Sequence, residues 1–278
     1  MPTLTTLIEG LELAMSQDDA VLYHREGHIG VITLNRPDNR NSMTPELLDA
    51  YKVATQRARE DADARCVVLT GKGWCFSAGA DFKSNIQAEG KGRALQPHEA
   101  SYAMYIPFLS TLDIEVPVIG ALNGHTVGGG FGLSLMCDIR VGNAASKYGA
   151  NFARLGLHPG MAVGYVLPRI IGPIKAVELL FTGRLILGDE AERLGLINYA
   201  VNADEVLGKA MELAEEIAQS APIAVRMMKR TFYRGLGWDI KNAAFEEAFA
   251  QAVTVGTEDV REGMAALLEK RIPDFKGR

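Results

Sequence analysis

The sequence predicts an α/β protein: a series of strand–strand–helix units followed by a region built from helices alone. Three observations predict it. Short apolar β-type runs recur up to about residue 202, with helical stretches between them. Two of these runs lead into loops unusually rich in glycine. From about Ala203 the β-type signal stops and helical periodicity takes over.

The first β-type runs are Val21–His24 and Ile29–Leu34. Thr44-Pro45-Glu46 reads as a helix start, with Thr as N-cap and Pro at the first helical position, opening a helix to about Asp61. Cys66–Thr70 is a buried strand and a Gly-rich loop follows it. Pro97–Asp113 is expected to be helical. Pro117–Leu122 is a second buried strand, again followed by a Gly-rich loop. Gly130–Cys137 reads as a short apolar helix and Ile139–Val141 as a strand. Pieces recur at intervals of roughly 45–55 residues, which suggests a stacked or spiral arrangement. The tail should hold helices over Ala203–Gln219, Ile223–Arg234, Trp238–Val255 and Asp259–Lys270, forming an appendage suited to oligomerisation. The expected organisation is an N-terminal extension over 1–19, a core over 20–202 and a helical region over 203–278.

Composition narrows the function classes. The net charge is −5 and no stretch is strongly basic, so nucleic acid is not an expected partner. Cys66, Cys75 and Cys137 are widely spaced in apolar surroundings and read as free thiols of a reducing compartment. Residues 1–17 lack a basic leader region, and no apolar run is long enough for a membrane helix. A cytoplasmic location is therefore expected. G-x-G-x-x-G, H-E-x-x-H and G-x-S-x-G are all absent, which argues against dinucleotide, zinc-protease and serine-hydrolase chemistry. No metal and no separate cofactor is expected.

Glycine is in excess: 29 of 278 residues, about 10% against roughly 7% in average usage. Much of it lies in the two loops, Gly71–Asp81 and Asn123–Gly132. Three successive positions of the second loop, Gly128 to Gly130, carry no side chain, so a ligand could approach the backbone closely. Two backbone N–H groups converging from such loops would form an oxyanion hole. Each loop taken alone reads more readily as a tight packing turn, whereas the two together, after two similar buried strands, favour an oxyanion hole.

The sequence resembles the crotonase (enoyl-CoA hydratase/isomerase) superfamily. The resemblance is carried by Leu34-Asn-Arg-Pro-Asp-Asn39, Phe76-Ser-Ala-Gly-Ala-Asp-Phe-Lys83, Pro117-Val-Ile-Gly-Ala-Leu-Asn-Gly124, Gly128-Gly-Gly130 and Cys137-Asp-Ile-Arg140. It continues through Leu155-Gly-Leu-His-Pro-Gly160, Phe181-Thr-Gly-Arg184, Glu258-Asp-Val-Arg-Glu-Gly263 and Glu269–Phe275, covering about residues 20–278. It implies a spiral of ββα units with a helical C-terminal part that forms trimers, often paired into hexamers. It implies an acyl-CoA substrate, with coenzyme A present as part of that substrate, and lyase or isomerase chemistry. The oxyanion donors it implies are the N–H groups of Ala78 and Gly129. Ser77, Ala80, Asp81, Gly128 and Phe152 would border the substrate, and Arg36, Arg40 and Lys83 would lie near the CoA nucleotide. For the three cations, solvated surface charge is an equal alternative.

The resemblance also shows a departure. Hydratases of the family use two glutamates to activate water and deliver a proton. Their places here are taken by Gly132 and Phe152, which exchange no protons. Substitutes for the acid/base are His125 in the second loop, Tyr148, which could donate a proton, and Asn151, which could orient water. Packing roles are the alternative for each. Asp81 is read as an N-cap rather than a base, and His158 as a turn residue. His98, Tyr102 and Tyr105 lie on the segment that often lines the family's acyl pocket. Three functions stay open: proton-transfer chemistry such as isomerisation or non-standard hydration, decarboxylation or hydrolysis, and non-catalytic acyl-CoA binding.

Overall fold

The computed structural model describes residues 19–80, 97–237 and 239–276. The chain runs β1 (Val21–Glu26), β2 (Ile29–Leu34), α1 (Pro45–Glu60), β3 (Cys66–Gly71), β4 (Cys75–Ser77), α2 (Pro97–Leu109), β5 (Val118–Leu122), β6 (His125–Val127) and α3 (Gly129–Leu135). It continues with β7 (Ile139–Asn143), β8 (Lys147–Gly149), α4 (Val163–Ile171), α5 (Pro173–Thr182), β9 (Ile186–Leu187), α6 (Gly188–Arg193) and β10 (Tyr199–Val201). Four helices close the chain: α7 (Val206–Gln219), α8 (Pro222–Gly235), α9 (Ile240–Val255) and α10 (Glu258–Glu269).

Among the described residues the strands form two sheets. The larger has the order β1-β2-β3-β5-β7-β10 and the smaller β4-β6-β8-β9. β1 and β2 are an antiparallel hairpin, and every later pairing in the larger sheet is parallel. Each turn of the spiral supplies a long strand to the first sheet and a three-residue strand to the second: β3 with β4, β5 with β6, β7 with β8. The long strands start at Ile29, Cys66, Val118 and Ile139, so what recurs is the strand pair and not the fixed interval expected.

β3 is buried throughout, as a central parallel strand covered on both faces must be. Val67 and Leu69 face one core while Cys66 and Val68 face the other, following the period of two. The three thiols are buried and free, and desolvation pushes Cys66 and Cys137 up to about 12 and Cys75 up to about 11. Helix α1 begins as expected: the Thr44 hydroxyl accepts the Leu47 N–H at 3.2 Å, and Pro45 is the first helical residue. Its buried stripe, Leu47, Leu48, Tyr51, Ala54 and Ala58, has helical spacing.

The tail is helical, as expected, but part of it is no appendage. Val206, Ala210 and Ala214 of α7 pack on Ile29, Val31, Val68, Ile119 and Val141, so α7 closes the outer face of the large sheet. Ile240, Ala244 and Ala248 of α9 join the other core. α8 is different: none of its residues is buried, and Ile223, Met227 and Phe232 are exposed. Among the described residues no helix is long and apolar enough to cross a membrane.

Candidate active site

β4 and β6 are parallel neighbours, and both Gly-rich loops leave the small sheet at the same end. Gly79, at φ +81°, and Gly128, at φ +58°, adopt backbone conformations that a side chain would strain. At Gly79 the reason is also steric. A Cβ there would lie 2.6 Å from the Gly129 nitrogen and 2.8 Å from the Val127 carbonyl oxygen. The two loops therefore touch through bare backbone.

The first loop is held by a segment far upstream. Arg40 and Asn41 are both left-handed, at φ 60° and 51°. Asn41 is fully buried; its amide donates to the Cys75 carbonyl at 2.9 Å and the Lys72 carbonyl at 3.1 Å, and its Oδ1 accepts the Arg36 N–H at 2.8 Å. The Ser77 hydroxyl donates to the Asn41 carbonyl at 2.8 Å, so its buried side chain ties β4 to the upstream segment. Met43 donates its N–H to the Gly79 carbonyl at 2.8 Å and forms a parallel bridge with Ala80. Its sulfur occupies the space beside Gly129 that a Cβ would need. Asn41 and Met43 were not singled out from the sequence, although both adjoin the Leu34–Asn39 segment.

These bonds decide which N–H groups are available. The Ala78 N–H, expected as an oxyanion donor, instead donates to the Arg40 carbonyl at 3.0 Å. That of Gly79 faces the Ser77 hydroxyl at 3.3 Å, and that of Gly128 bonds the Gly149 carbonyl at 3.1 Å. In the bridge, Met43 N–H goes to the Gly79 carbonyl, so the Ala80 N–H points away from that ladder. Among the described residues neither Ala80 nor Gly129, the first residue of α3, has an acceptor for its N–H. Both lie beside Gly79.

Two of the three expected acid/base substitutes, Tyr148 and His125, point away from the loop contact. Tyr148 is 1% exposed in the main core, and its hydroxyl donates to the Asn143 carbonyl at 2.9 Å. Burial raises its pKa further from neutrality. His125 sits at the start of β6, the end remote from Gly129. Its Nδ1 accepts the Lys147 N–H at 3.2 Å and its ring packs edge-on to exposed Trp74. Desolvation, then the nearby Lys147 charge, lower its pKa, so it is neutral at pH 7. Neither residue faces the loop contact. Asn151 does: its Oδ1 lies 3.7 Å from a Cβ built on Gly128. Phe152 follows it, half-buried and packed on the core.

The position of Gly132 is filled from outside. A Cβ there would lie 2.8 Å from the Met161 Cβ and 3.3 Å from its sulfur. Met161 and Ala162 are consecutive non-glycine residues at φ 61° and 57°, 1% and 0% exposed. The space beside Gly132 is thus filled by Met161, a residue the sequence did not single out.

Arg36 pairs with Glu46, whereas Arg40 is exposed and forms no ion pair among the described residues. Asp81 and Lys83 lie outside the described residues. On α2, His98 stacks on Phe249 and Tyr102 meets Phe245 edge-on, both partners being on α9. Tyr105 is buried against Gly160 and bonds Gln251. His158, expected in a turn, lies instead in an irregular segment just after the turn at Gly156, with its Nδ1 2.6 Å from the Pro159 carbonyl oxygen. A separate cavity of about 380 Å³, lined by Lys52, Arg59, Tyr102, Asp113 and Lys241, contains no residue of either loop. No cluster of metal-ligating side chains occurs among the described residues.

Known proteins resemble this chain in sequence and fold. A family model described as enoyl-CoA hydratase/isomerase matches residues 24–278. A short-chain-enoyl-CoA hydratase of Clostridium acetobutylicum is 35% identical over 265 residues, covering 93% of this chain and 98% of its own. A carnitinyl-CoA hydratase of Mycobacterium avium, known by crystal structure, has a TM-score of 0.81 at 32% identity, with 94% and 99% of the two chains covered. A crystal structure of an enoyl-CoA hydratase/isomerase from Pseudoalteromonas atlantica gives a TM-score of 0.82 at 27% identity, with 92% and 100% covered. With this coverage, and with two backbone loops meeting at Gly79 and Gly129, the chain belongs to the enoyl-CoA hydratase/isomerase (crotonase) family.

Proposed function

We propose that this protein acts on acyl-CoA thioesters, binding the thioester carbonyl with the backbone N–H groups of Ala80 and Gly129 and stabilising the oxyanion or enolate that forms there. The observation that carries the reading is the availability of these two donors where Gly79 abuts the Gly129 nitrogen. Each such donor contributes roughly 2.7–4 kcal/mol in the transition state. Relatives named as acyl-CoA hydratases support the substrate class. Arg40 is the cation available for a CoA phosphate, and Gly128, Asn151 and Phe152 border the acyl group.

Hydration is not the reaction this wall favours. Gly132 and Phe152 carry no proton, Met161 fills the space beside Gly132, and Tyr148 and His125 face elsewhere. Decarboxylation of an α-carboxyacyl thioester asks least of it. The bond from the α-carbon to the carboxylate breaks, carbon dioxide leaves, and the electron pair becomes the enolate held by the two N–H groups. Solvent then protonates the α-carbon. Asn151 can orient the leaving carboxylate or that water.

The test is a panel of saturated acyl, 2-enoyl and α-carboxyacyl CoA esters in deuterated water, followed by mass. Loss of carbon dioxide with one deuterium at the α-carbon supports the reading. Rapid water addition to the enoyl esters contradicts the dry wall. Tight binding of all three with no product makes the protein a binder and sinks the enzyme reading.

The bare face of α8 supports assembly through that helix, as a trimer or pair of trimers. Light scattering on Phe232→Glu should then show a smaller particle than the unsubstituted protein.

A further inference from the structure

The Met161 wall is held by a helix of the tail. Helix α9 presents Glu247 and Gln251, one turn apart, to the segment from His158 to Tyr165. Both side chains are buried, at 8% and 9% exposure. Glu247 Oε1 accepts the Gly164 N–H at 2.8 Å, and the N–H groups of Ala162, Val163 and Tyr165 also favour its charged form. At the other end of the segment, Gln251 donates to the His158 carbonyl at 3.2 Å and accepts from the Tyr105 hydroxyl. Thr254 Oγ accepts the His158 N–H at 3.0 Å. Between these two grips lie Met161 and Ala162 in the left-handed conformation, which residues with a Cβ adopt only when their surroundings impose it.

We propose that Glu247 is a positioning residue of the active site: seated on the start of α4, it fixes the left-handed Met161–Ala162 turn and so presses Met161 against Gly132. The inference rests on the functional reading above, because Met161 matters to catalysis only if that wall borders the acyl group. A carboxyl is a costly choice for a mere cap. Its Oε2 is buried with no hydrogen-bond partner among the described residues, and desolvation pushes its pKa up to about 7 against the ordinary carboxyl value of 4.5. Tyr105 on α2 is the titratable group that feels its charge, while α4 faces it with backbone N–H groups. The seat is therefore only half occupied by protons near neutrality, and the wall should respond to pH there.

The full chain with ¹³C-methyl methionine tests this by NMR, with the Met161 signal assigned through Met161→Leu. In the unsubstituted protein the Met161 methyl should titrate with a midpoint of about 7. Glu247→Gln, which keeps an acceptor oxygen, should hold the methyl in one position at all pH values and retain turnover within about 3-fold. Glu247→Ala should release the methyl toward the position of an exposed methionine and lower kcat by roughly 10- to 100-fold with KM little changed, the effect of a misplaced wall. If the Ala variant does not fold, the titration and its loss in Glu247→Gln decide the matter. A Met161 methyl that does not titrate, or that stays in place in a folded Glu247→Ala protein, overturns the proposal. If the methyl behaves as stated and no thioester turns over, the functional reading fails and the positioning role stands.

Discussion

The two walls of the site follow opposite building rules. Around Gly79 and Gly129 side chains are absent, backbone meets backbone, and two N–H groups are left without acceptors among the described residues. Around Gly132 the space is filled: Met161 enters from the turn that leads into α4. The first wall can stabilise developing negative charge. The second is filled at Gly132 by the Met161 side chain.

The largest effect should come from breaking the bare wall. Gly79→Ala puts a Cβ 2.6 Å from the Gly129 nitrogen at a φ of +81°, so the loops must part. Thioester turnover should fall by roughly 100-fold or more, the scale of one lost oxyanion donor. A Gly79→Ala enzyme with unchanged kcat would remove Gly129 from the account.

Next in size is the charge behind the filled wall. The folded protein holds the Glu247 proton more tightly than the unfolded chain does, since its pKa rises from 4.5 to about 7. Stability from this group is fully present below about 4.5 and is lost as pH rises through about 7. Denaturant unfolding should show a loss on the order of 3 kcal/mol across that window, absent in Glu247→Gln. The Gln variant should then be the more stable protein at pH 8.

The packing of that wall should cost somewhat less to disturb. Gly132→Ala crowds the Met161 Cβ and should destabilise by about 1–3 kcal/mol. The same change in a Met161→Gly background should cost less by about 1 kcal/mol, a coupling that a double-mutant cycle measures. Strict additivity would mean that the two positions do not share one space. Smallest of all are the residues turned away from the site. Tyr148→Phe should cost about 1 kcal/mol of stability through its lost bond to Asn143, and His125→Ala less. Neither should change turnover more than about 2-fold, which steady-state kinetics would check.

The strands, the Thr44 cap and both loops were legible because each is a local pattern. Buried runs such as Cys66–Thr70 identify themselves, and positive φ is most readily adopted by glycine, as at Gly79 and Gly128. The choice between Ala78 and Ala80 was not local. It depends on the Arg40 carbonyl, brought against Ala78 by a left-handed turn far upstream. Met161 was hidden for a similar reason: an unbranched apolar residue in a turn signals nothing until its partner, Gly132, is seen across the helix contact. Tyr148 and Asn151 were both candidates in sequence, yet only the Asn151 side chain reaches the loop contact, because Tyr148 points from its strand into the core. α7 read as part of an appendage because amphipathic spacing shows that a face is buried but not against what.

The comparison of the two walls reduces to one paired measurement. An α-carboxyacyl CoA ester and a 2-enoyl CoA ester are incubated with the protein in deuterated water at equal concentration. Carbon dioxide release with one deuterium at the α-carbon is expected from the first, and no water addition to the second. Rapid hydration of the enoyl ester, with the α-carboxyacyl ester untouched, would contradict that expectation.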